Sequence, residues 1–346
     1  MQKVLITGGL GYIGSHTCVT LLNKNFELVV IDNLSNSSEN TLQKIKKIVG
    51  KEKGKSIVFH KGDINDIKFL EDIFSKSSNG KNDIKSVIHF AGLKSVSESV
   101  NSPIRYWETN VSGSINLLKI MKKYNCKTLV FSSSATIYGN YGLRSIPEDA
   151  IIKPINPYGQ TKSTVEKILE NLFLSGDQEW RIANLRYFNP VGAHPSGLIG
   201  EQPKGKPNNL LPIIIKVATK EQNFLKIFGN DWPTNDGTCI RDYIHVMDLA
   251  EGHLAALLNL IKGESKIINL NLGTGIGTSV LEMIDIFETV NKCKLPCKVV
   301  RRRDGDVASL VADSKKAKKY LKWIPKRTLK DSCLDSFKWI KLNKML

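Results

Sequence analysis

Tyr158 and Lys162 stand four residues apart in the segment Asn156-Pro-Tyr-Gly-Gln-Thr-Lys162. Pro157 suits the first position of a helix, so the two side chains share one helical face. An ammonium beside a phenol favours the phenolate and lowers the tyrosine pKa. A phenol brought down from its usual ~10 can take a proton near neutrality. Among nine tyrosines, this one alone has a lysine four residues later. Ser134 ends a run of three serines, 132–134, that precedes this segment at the end of an apolar stretch.

A second grouping is built for phosphate. Thr7-Gly-Gly-Leu-Gly-Tyr-Ile-Gly14 places Gly8, Gly11 and Gly14 at G-x-x-G-x-x-G. Gly8 permits the tight turn, Gly11 lets backbone N–H groups approach a pyrophosphate, and Gly14 lets the following helix pack on the strand before it. The helix N-terminus then offers its free N–H groups to the phosphates. Asp32 ends the next apolar run, and Asn33, Leu34, Ser35 and Asn36 follow it with no arginine. A carboxylate there accepts hydrogen bonds from a ribose 2′-hydroxyl and repels a 2′-phosphate, so the expected cofactor is NAD rather than NADP.

These residues need elements to hold them. Apolar runs at 3–7, 27–32, 56–61, 86–91, 128–133 and 181–187 alternate with amphipathic stretches near 12–23, 38–49, 66–75, 101–124 and 157–174. Continuous apolar strands separated by helices predict a parallel sheet covered on both faces. The fold class expected is α/β, a Rossmann-type doubly wound sheet with a smaller α/β C-terminal domain. We place the dinucleotide-binding domain at 1–188 and the substrate domain at 189–346, with a segment near 240–262 as a candidate to pack back on the first. Ligands of such sheets lie at the carboxyl ends of the strands. That brings in Asp63 and Ile64 beside an adenine, and Ala91 with Gly92 leaving room for the cofactor's centre. After residue 188 prolines and glycines crowd the chain, as in a loop that serves a substrate site. The Lys-rich stretch 46–55 reads as a surface loop, and a basic helix is expected near 328–341.

Bulk properties exclude several classes. The chain has 346 residues, a net charge of +17 and a mean hydropathy of −0.18. No apolar run reaches the ~20 residues of a membrane span. Met1 leads almost directly into Val4-Leu-Ile-Thr7 rather than into a secretory signal. The six cysteines show neither a disulfide framework nor zinc spacing, so no metal is expected and a reducing cytoplasm is the simpler setting. The lysines are spread along the chain without interleaved aromatics, which speaks for a solvated surface rather than a nucleic-acid site. A positive field would also attract a polyanionic small substrate.

Longer stretches carry a resemblance. Thr7 to His16, His89-Phe-Ala-Gly-Leu-Lys94, Phe131 to Gly139, Leu185 to His194 and Arg241-Asp-Tyr-Ile-His-Val246 resemble the extended short-chain dehydrogenase/reductase superfamily, and within it the UDP-glucose 4-epimerases. The likeness runs from Val4 to about Trp339. It implies that Tyr12, Ile13, Asp32, Asp63, Ile64, Phe90, Lys94, Asn110 and Phe188 hold NAD, and that Ser134, Tyr158 and Lys162 form the catalytic set. It further implies that Asn189, Asn208, Asn209, Leu210, Phe228, Arg241, Arg303 and Asp306 hold a UDP-sugar. Two arginines suit a diphosphate, because the guanidinium fork matches phosphate oxygens. The implied reaction removes hydride from sugar C4, turns the 4-keto sugar over and returns hydride to the opposite face. A homodimer is implied as well.

Two neighbouring chemistries share this scaffold. A 4,6-dehydratase places acidic residues just after the threonine at the fifth strand end, where this chain has Ala135-Thr136-Ile137 without a carboxylate. A UDP-sugar decarboxylase would need a carboxylated substrate, and the stretches above favour the epimerase. Leu310, four residues past Asp306, is intermediate between the bulky and small residues of relatives, which leaves acceptance of N-acetylated UDP-sugars open.

Overall fold

A computed structural model describes residues 2–77, 83–176, 179–205, 207, 209–303 and 305–344. Six strands appear where the apolar runs predict them: β1 (Lys3–Thr7), β2 (Glu27–Asp32), β3 (Ile57–Lys61), β4 (Ile84–His89), β5 (Thr128–Ser134) and β6 (Arg181–Tyr187). Leu5, Val30, Val87, Val130 and Leu185 lie at 6% exposure or less within them, because helices cover both faces. A seventh strand, Lys266–Leu272, pairs in parallel with β6 from Lys266 opposite Arg181 to Leu272 opposite Tyr187. The sheet order is Lys266–Leu272, β6, β5, β4, β1, β2, β3, and every pairing is parallel. Connections from β1 run outward to β2 and β3, whereas β4 starts the other half. The crevice therefore opens above the carboxyl ends of β1 and β4.

Two elements from the second half of the chain build this sheet layer. Helix Val246–Lys262 packs on helix Tyr12–Leu22 and on β5 and β6, and the strand Lys266–Leu272 closes the sheet. The remaining second-half elements form small sheets of their own. Ile240–His245 pairs with Asn189–Val191, Gly277–Ser279 and Ser309–Leu310, and Leu225–Phe228 pairs with Cys297–Val300. Their core gathers Ile214, Ile227, Met283, Phe287 and Phe337.

Local departures have identifiable causes. The stretch 101–124, expected as one helix, divides into Val96–Asn101, Pro103–Trp107, a π-helical turn Glu108–Ser112 and Gly113–Lys123. Pro103 clashes with a continuing helix before it, and Ser102 leaves the helical region, with φ −137° and ψ 56°. The π turn places Asn110 toward the crevice. The stretch 46–55, expected as a loop, is the last turn of helix Asn40–Val49 followed by a 3₁₀ turn, Lys53–Ser56. Its lysines alternate with Ile45 and Ile48, which face the core and hold the helix down. The predicted C-terminal helix runs Leu329–Lys344. Among the described residues no helix is long and apolar enough to cross a membrane.

Candidate active site

The glycine turn forms a wall without side chains. Gly8 has φ +66°, and its N–H donates to Ile31 O at 2.8 Å. A Cβ on Gly8 would stand 2.7 Å from Ala91 N, and one on Gly14 would strike the Gly8 carbonyl. Any larger residue would push β1, β4 and the first helix apart. Gly11 is the N-cap of helix Tyr12–Leu22, so the first-turn N–H groups face the crevice as an anion site requires.

At the next strand end Asp32 is 8% exposed. Its carboxylate accepts the Leu10 N–H at 3.1 Å, the Leu34 N–H at 2.9 Å and the Ser37 hydroxyl at 2.7 Å. Three donors aim it, with capacity left for a further hydroxyl. Asn33 Nδ2 donates to Asp63 Oδ2 at 2.7 Å, joining the ends of β2 and β3, and Ile64 is buried against Gly113. Asn36 Oδ1 accepts the Lys204 N–H at 2.9 Å.

Asn110 ties the loop after β4 to the helix that carries Tyr158 and Lys162. Its Oδ1 accepts the Leu93 N–H at 2.7 Å; its Nδ2 donates to Leu93 O at 3.1 Å and Thr161 Oγ1 at 3.0 Å. π turns insert one residue into a helix and commonly mark functional positions. The Phe90 ring stacks 4.7 Å from His253, whose Nε2 lies 3.1 Å from the Tyr187 hydroxyl. Burial lowers His253 to about 4, so it is neutral near pH 7.

Helix Pro157–Leu174 starts at Asn156, whose side chain accepts the Gly159 N–H at 2.8 Å. A Cβ on Gly159 would stand 2.8 Å from Thr136 O; the helix therefore lies directly on the end of β5. This brings Tyr158, Lys162 and Ser134 together. Lys162 is 4% exposed, donates to Ser132 O at 2.7 Å and lies 4.9 Å over Phe131 and 6.0 Å over the Tyr158 ring. Burial lowers its ammonium to about 8, and Glu166 pulls it partly back. Ser134 Oγ accepts the Thr136 N–H at 3.2 Å and the Thr136 hydroxyl at 3.0 Å.

The phenol departs from the sequence expectation. Burial raises Tyr158, and the hydrogen bond with Ser134 pulls it back only in part. The ammonium lies 6.0 Å from the ring centroid and donates to the Ser132 carbonyl. A lowered phenol requires positive charge added to the crevice itself, which a nicotinamide cation would bring.

Behind the three residues is a buried network. Glu166, one turn beyond Lys162, receives the Ser133 hydroxyl at 2.5 Å and the Arg186 guanidinium at 2.6–3.2 Å. Arg186 also donates to the Tyr138 hydroxyl at 2.9 Å and Glu148 O at 2.8 Å. The β5 end is thus fastened to helix Pro157–Leu174 at Ser132 and at Ser133.

The second half supplies the opposite wall. Asn189 Oδ1 is buried without a partner among the described residues, and an orphaned buried acceptor calls for a donor from a ligand or water. Phe188 packs with Ala135, Ile137 and Leu310. Asn209 stands at the N-terminal boundary of helix Leu210–Ala218 without a side-chain capping bond, and Leu210 is the first helical residue. Asn208 lies outside the described residues. Arg241 donates to Ile240 O at 2.9 Å and Val307 O at 2.8 Å. Asp306 stands 3.7 Å from the Arg241 guanidinium and 2.8 Å from that of Arg303. Arg303 lies 5.4 Å over the Phe228 ring. Leu310 is in register with Arg241. Two guanidiniums steered by one carboxylate, beside an aromatic face, can bind a diphosphate and a stacked base.

Lys94 Nζ pairs with Glu201 Oε1 at 3.0 Å, and the same oxygen accepts Asn209 Nδ2 at 2.8 Å. The sequence reading did not single out Glu201, His253 or the Glu166–Arg186 pair. Only Glu166 left a signal, as the third member of an i, i+4, i+8 series after Tyr158 and Lys162.

Comparison with known proteins shows the family. Residues 5–335 match the family model described as GDP-mannose 4,6 dehydratase. The chain is 49% identical over 338 residues to UDP-glucose 4-epimerase of Bacillus subtilis (strain 168), covering 98% of this chain and 96% of that protein. The structure of UDP-glucose-4-epimerase from Stenotrophomonas maltophila, with bound NAD and formylated UDP-arabinopyranose, superposes with a TM-score of 0.94 at 44% identity, covering 100% of this chain and 99% of the other. That of the Bifidobacterium longum UDP-glucose 4-epimerase, in complex with NAD+ and UDP, gives a TM-score of 0.93 at 43% identity, covering 99% of each.

Proposed function

This chain belongs to the UDP-glucose 4-epimerase family, and we propose that it interconverts UDP-galactose and UDP-glucose in galactose metabolism, with NAD kept bound from one turnover to the next. The observation that carries the reading is the meeting of Ser134, Tyr158 and Lys162 above the end of β5, facing a crevice whose floor fits a dinucleotide. The fit rests on the side-chain-free wall at Gly8, Gly11 and Gly14, the triply bonded Asp32 and the aromatic bed of Phe90 on His253. Gly8 to Gly14, with Tyr12 and Ile13, would hold the pyrophosphate. Asp32, Asn33 and Asn36 would hold the adenosine ribose, and Asp63 with Ile64 the adenine. Phe90 to Gly92, Asn110, Lys162 and Phe188 would frame the nicotinamide end, and Lys94, on the loop after β4, would reach the pyrophosphate.

When bound, NAD supplies a reversible hydride acceptor for sugar C4. Tyr158 takes the proton of the 4-hydroxyl and later returns it. Ser134 bridges that hydroxyl and the phenol. Lys162, anchored on Ser132 O, keeps a positive charge behind the tyrosine ring. Arg241, Arg303 and Phe228 grip the UDP end, with Asn189, Asn208, Asn209, Leu210 and Asp306 around it. Affinity placed on UDP leaves the sugar free to turn between the two hydride transfers. The absence of a carboxylate at 135–137 favours epimerisation over the elimination named by the family model. In this reading the dinucleotide unit is 1–188 together with the returning 246–272, and the rest of 189–346 is the sugar-nucleotide unit. We place the protein in the cytoplasm as a homodimer. Exposed Val100, Ile104 and Trp107 on the helices after β4 support a partner surface.

The test is incubation of the purified protein with UDP-galactose and no added reductant. UDP-glucose should appear, and Tyr158→Phe should slow it by about 10²–10⁴-fold while retaining NAD, the usual effect of deleting a general base. Unchanged UDP-galactose with NAD bound would refute the reading.

A further inference from the structure

The segment after Phe188 crosses the cofactor crevice and is fastened to its rim at three places. The Tyr12 hydroxyl donates to Gly192 O at 2.7 Å. Lys204 donates through its backbone to Asn36 Oδ1 at 2.9 Å and through Nζ to Leu34 O at 2.7 Å. Between these ties lies Glu201, whose side chain is 10% exposed. One of its oxygens, Oε1, receives both Lys94 Nζ at 3.0 Å and Asn209 Nδ2 at 2.8 Å. Lys94 stands on the loop after β4, on the cofactor side. Asn209 leads into the helix Leu210–Ala218, on the sugar-nucleotide side. A single carboxylate oxygen therefore joins the two ligand sites.

We propose that Glu201 is a positioning residue that couples the occupancy of the NAD site to that of the UDP-sugar site. The proposal rests on the roles given above to Lys94 and Asn209. A pyrophosphate at the glycine turn competes with Glu201 for the Lys94 ammonium, which has three donors and can serve both only if it shifts. As Lys94 turns to the phosphate, Glu201 Oε1 is left to Asn209, and the residue that leads into the substrate helix is held in place. A nucleotide that engages Asn209 in turn holds the segment 192–204 down over the cofactor. Coupling of this kind has a measurable size, because each ligand changes the other's hold on the protein.

The experiment uses the NAD-loaded protein as purified and follows exchange of its cofactor for labelled NAD, with and without saturating UDP. In the parent protein UDP should slow exchange by about 5-fold or more, the low end of ordinary coupling. Glu201→Gln keeps an acceptor for Asn209 but loses the charge that holds Lys94, and the slowing by UDP should fall toward ~1-fold. Glu201→Asp, too short to reach both partners, should do the same and serves if the Gln variant fails to fold. A merely structural role would change both exchange rates together and leave their ratio intact. An unchanged ratio in the variants, or no slowing by UDP in the parent, overturns the proposal. Parallel epimerisation of UDP-galactose by the parent protein separates this from the functional reading. Turnover with no coupling sinks only the role of Glu201, whereas absence of turnover sinks the reading beneath it.

Discussion

Lys162 is the residue at which stability and activity should part most clearly. Burial lowers its ammonium from 10.5 to about 8. At ~1.4 kcal/mol per pH unit, holding that charge inside the fold costs about 3 kcal/mol at pH 7. The hydrogen bond to Ser132 O at 2.7 Å returns about 1 kcal/mol. Lys162→Met removes the charge, keeps most of the volume and forfeits that bond, so it should stabilise the fold by about 2 kcal/mol at pH 7. At about 2.1 cal/mol/K per residue this is a rise of about 3 °C in Tm for a chain of 346 residues. The sign with pH follows from the lowered value. Below about 8 both folded and unfolded chains hold the proton, and the full penalty stands. Between about 8 and 10.5 the unfolded chain holds a proton the folded chain has shed, so the parent protein gains stability as pH rises. The advantage of the variant should therefore shrink to about zero near pH ~9.5. Unfolding in urea at pH 7, 8 and 9.5, at several NAD concentrations so that the linked binding contribution can be removed, measures this. Activity should fall by about 10²-fold or more, since the positive charge behind Tyr158 is gone. A variant less stable than its parent at pH 7, or a difference flat in pH, would refute the reasoning.

Arg303→Ala removes a guanidinium that lies over Phe228 and bonds Asp306. UDP affinity by calorimetry should weaken by about 10–100-fold, the worth of a charge-assisted bond to phosphate, and an unchanged Kd would take Arg303 out of the site. Arg186→Met strands the Glu166 carboxylate in the interior and should destabilise the fold by about 3–5 kcal/mol, read as a lower urea midpoint at constant slope. Adding Glu166→Leu should recover part of that loss, because the buried charge goes with its partner; a double variant as unstable as the sum of the two singles would contradict this.

The elements that place the site were legible wherever one local signal sufficed. β1, β2, β5 and β6 are continuous apolar runs because helices cover both faces of the sheet, and their ends carry the Gly8–Gly14 turn, Asp32 and Ser134. The helix at Pro157 was legible from its proline and its i, i+4 pair. What was hidden depended on partners distant in sequence. The stretch 101–124 keeps a helical pattern throughout, yet it breaks at Pro103 and gains a π turn so that Asn110 can meet Leu93 and Thr161. In the chain alone Tyr158 is raised rather than lowered, for a related reason. Spacing shows that a lysine is near, but it does not show that the Ser132 carbonyl accepts its hydrogen bond and that both groups are buried.

The same distinction explains where this protein's own character lies. The glycine turn and the Tyr158–Lys162 pair are short-range devices, and each works on any chain that folds this sheet. Glu201 and Lys204 matter only because a segment far along the sequence returns across the crevice to Lys94, Leu34 and Asn36. A redox-neutral cycle has no use for cofactor exchange, so contacts that close the crevice carry no penalty in turnover. An enzyme that released its reduced cofactor after every cycle would have to break them each time. The strap is therefore consistent with one chemistry on this scaffold and poorly suited to another, a discrimination the catalytic residues themselves do not make.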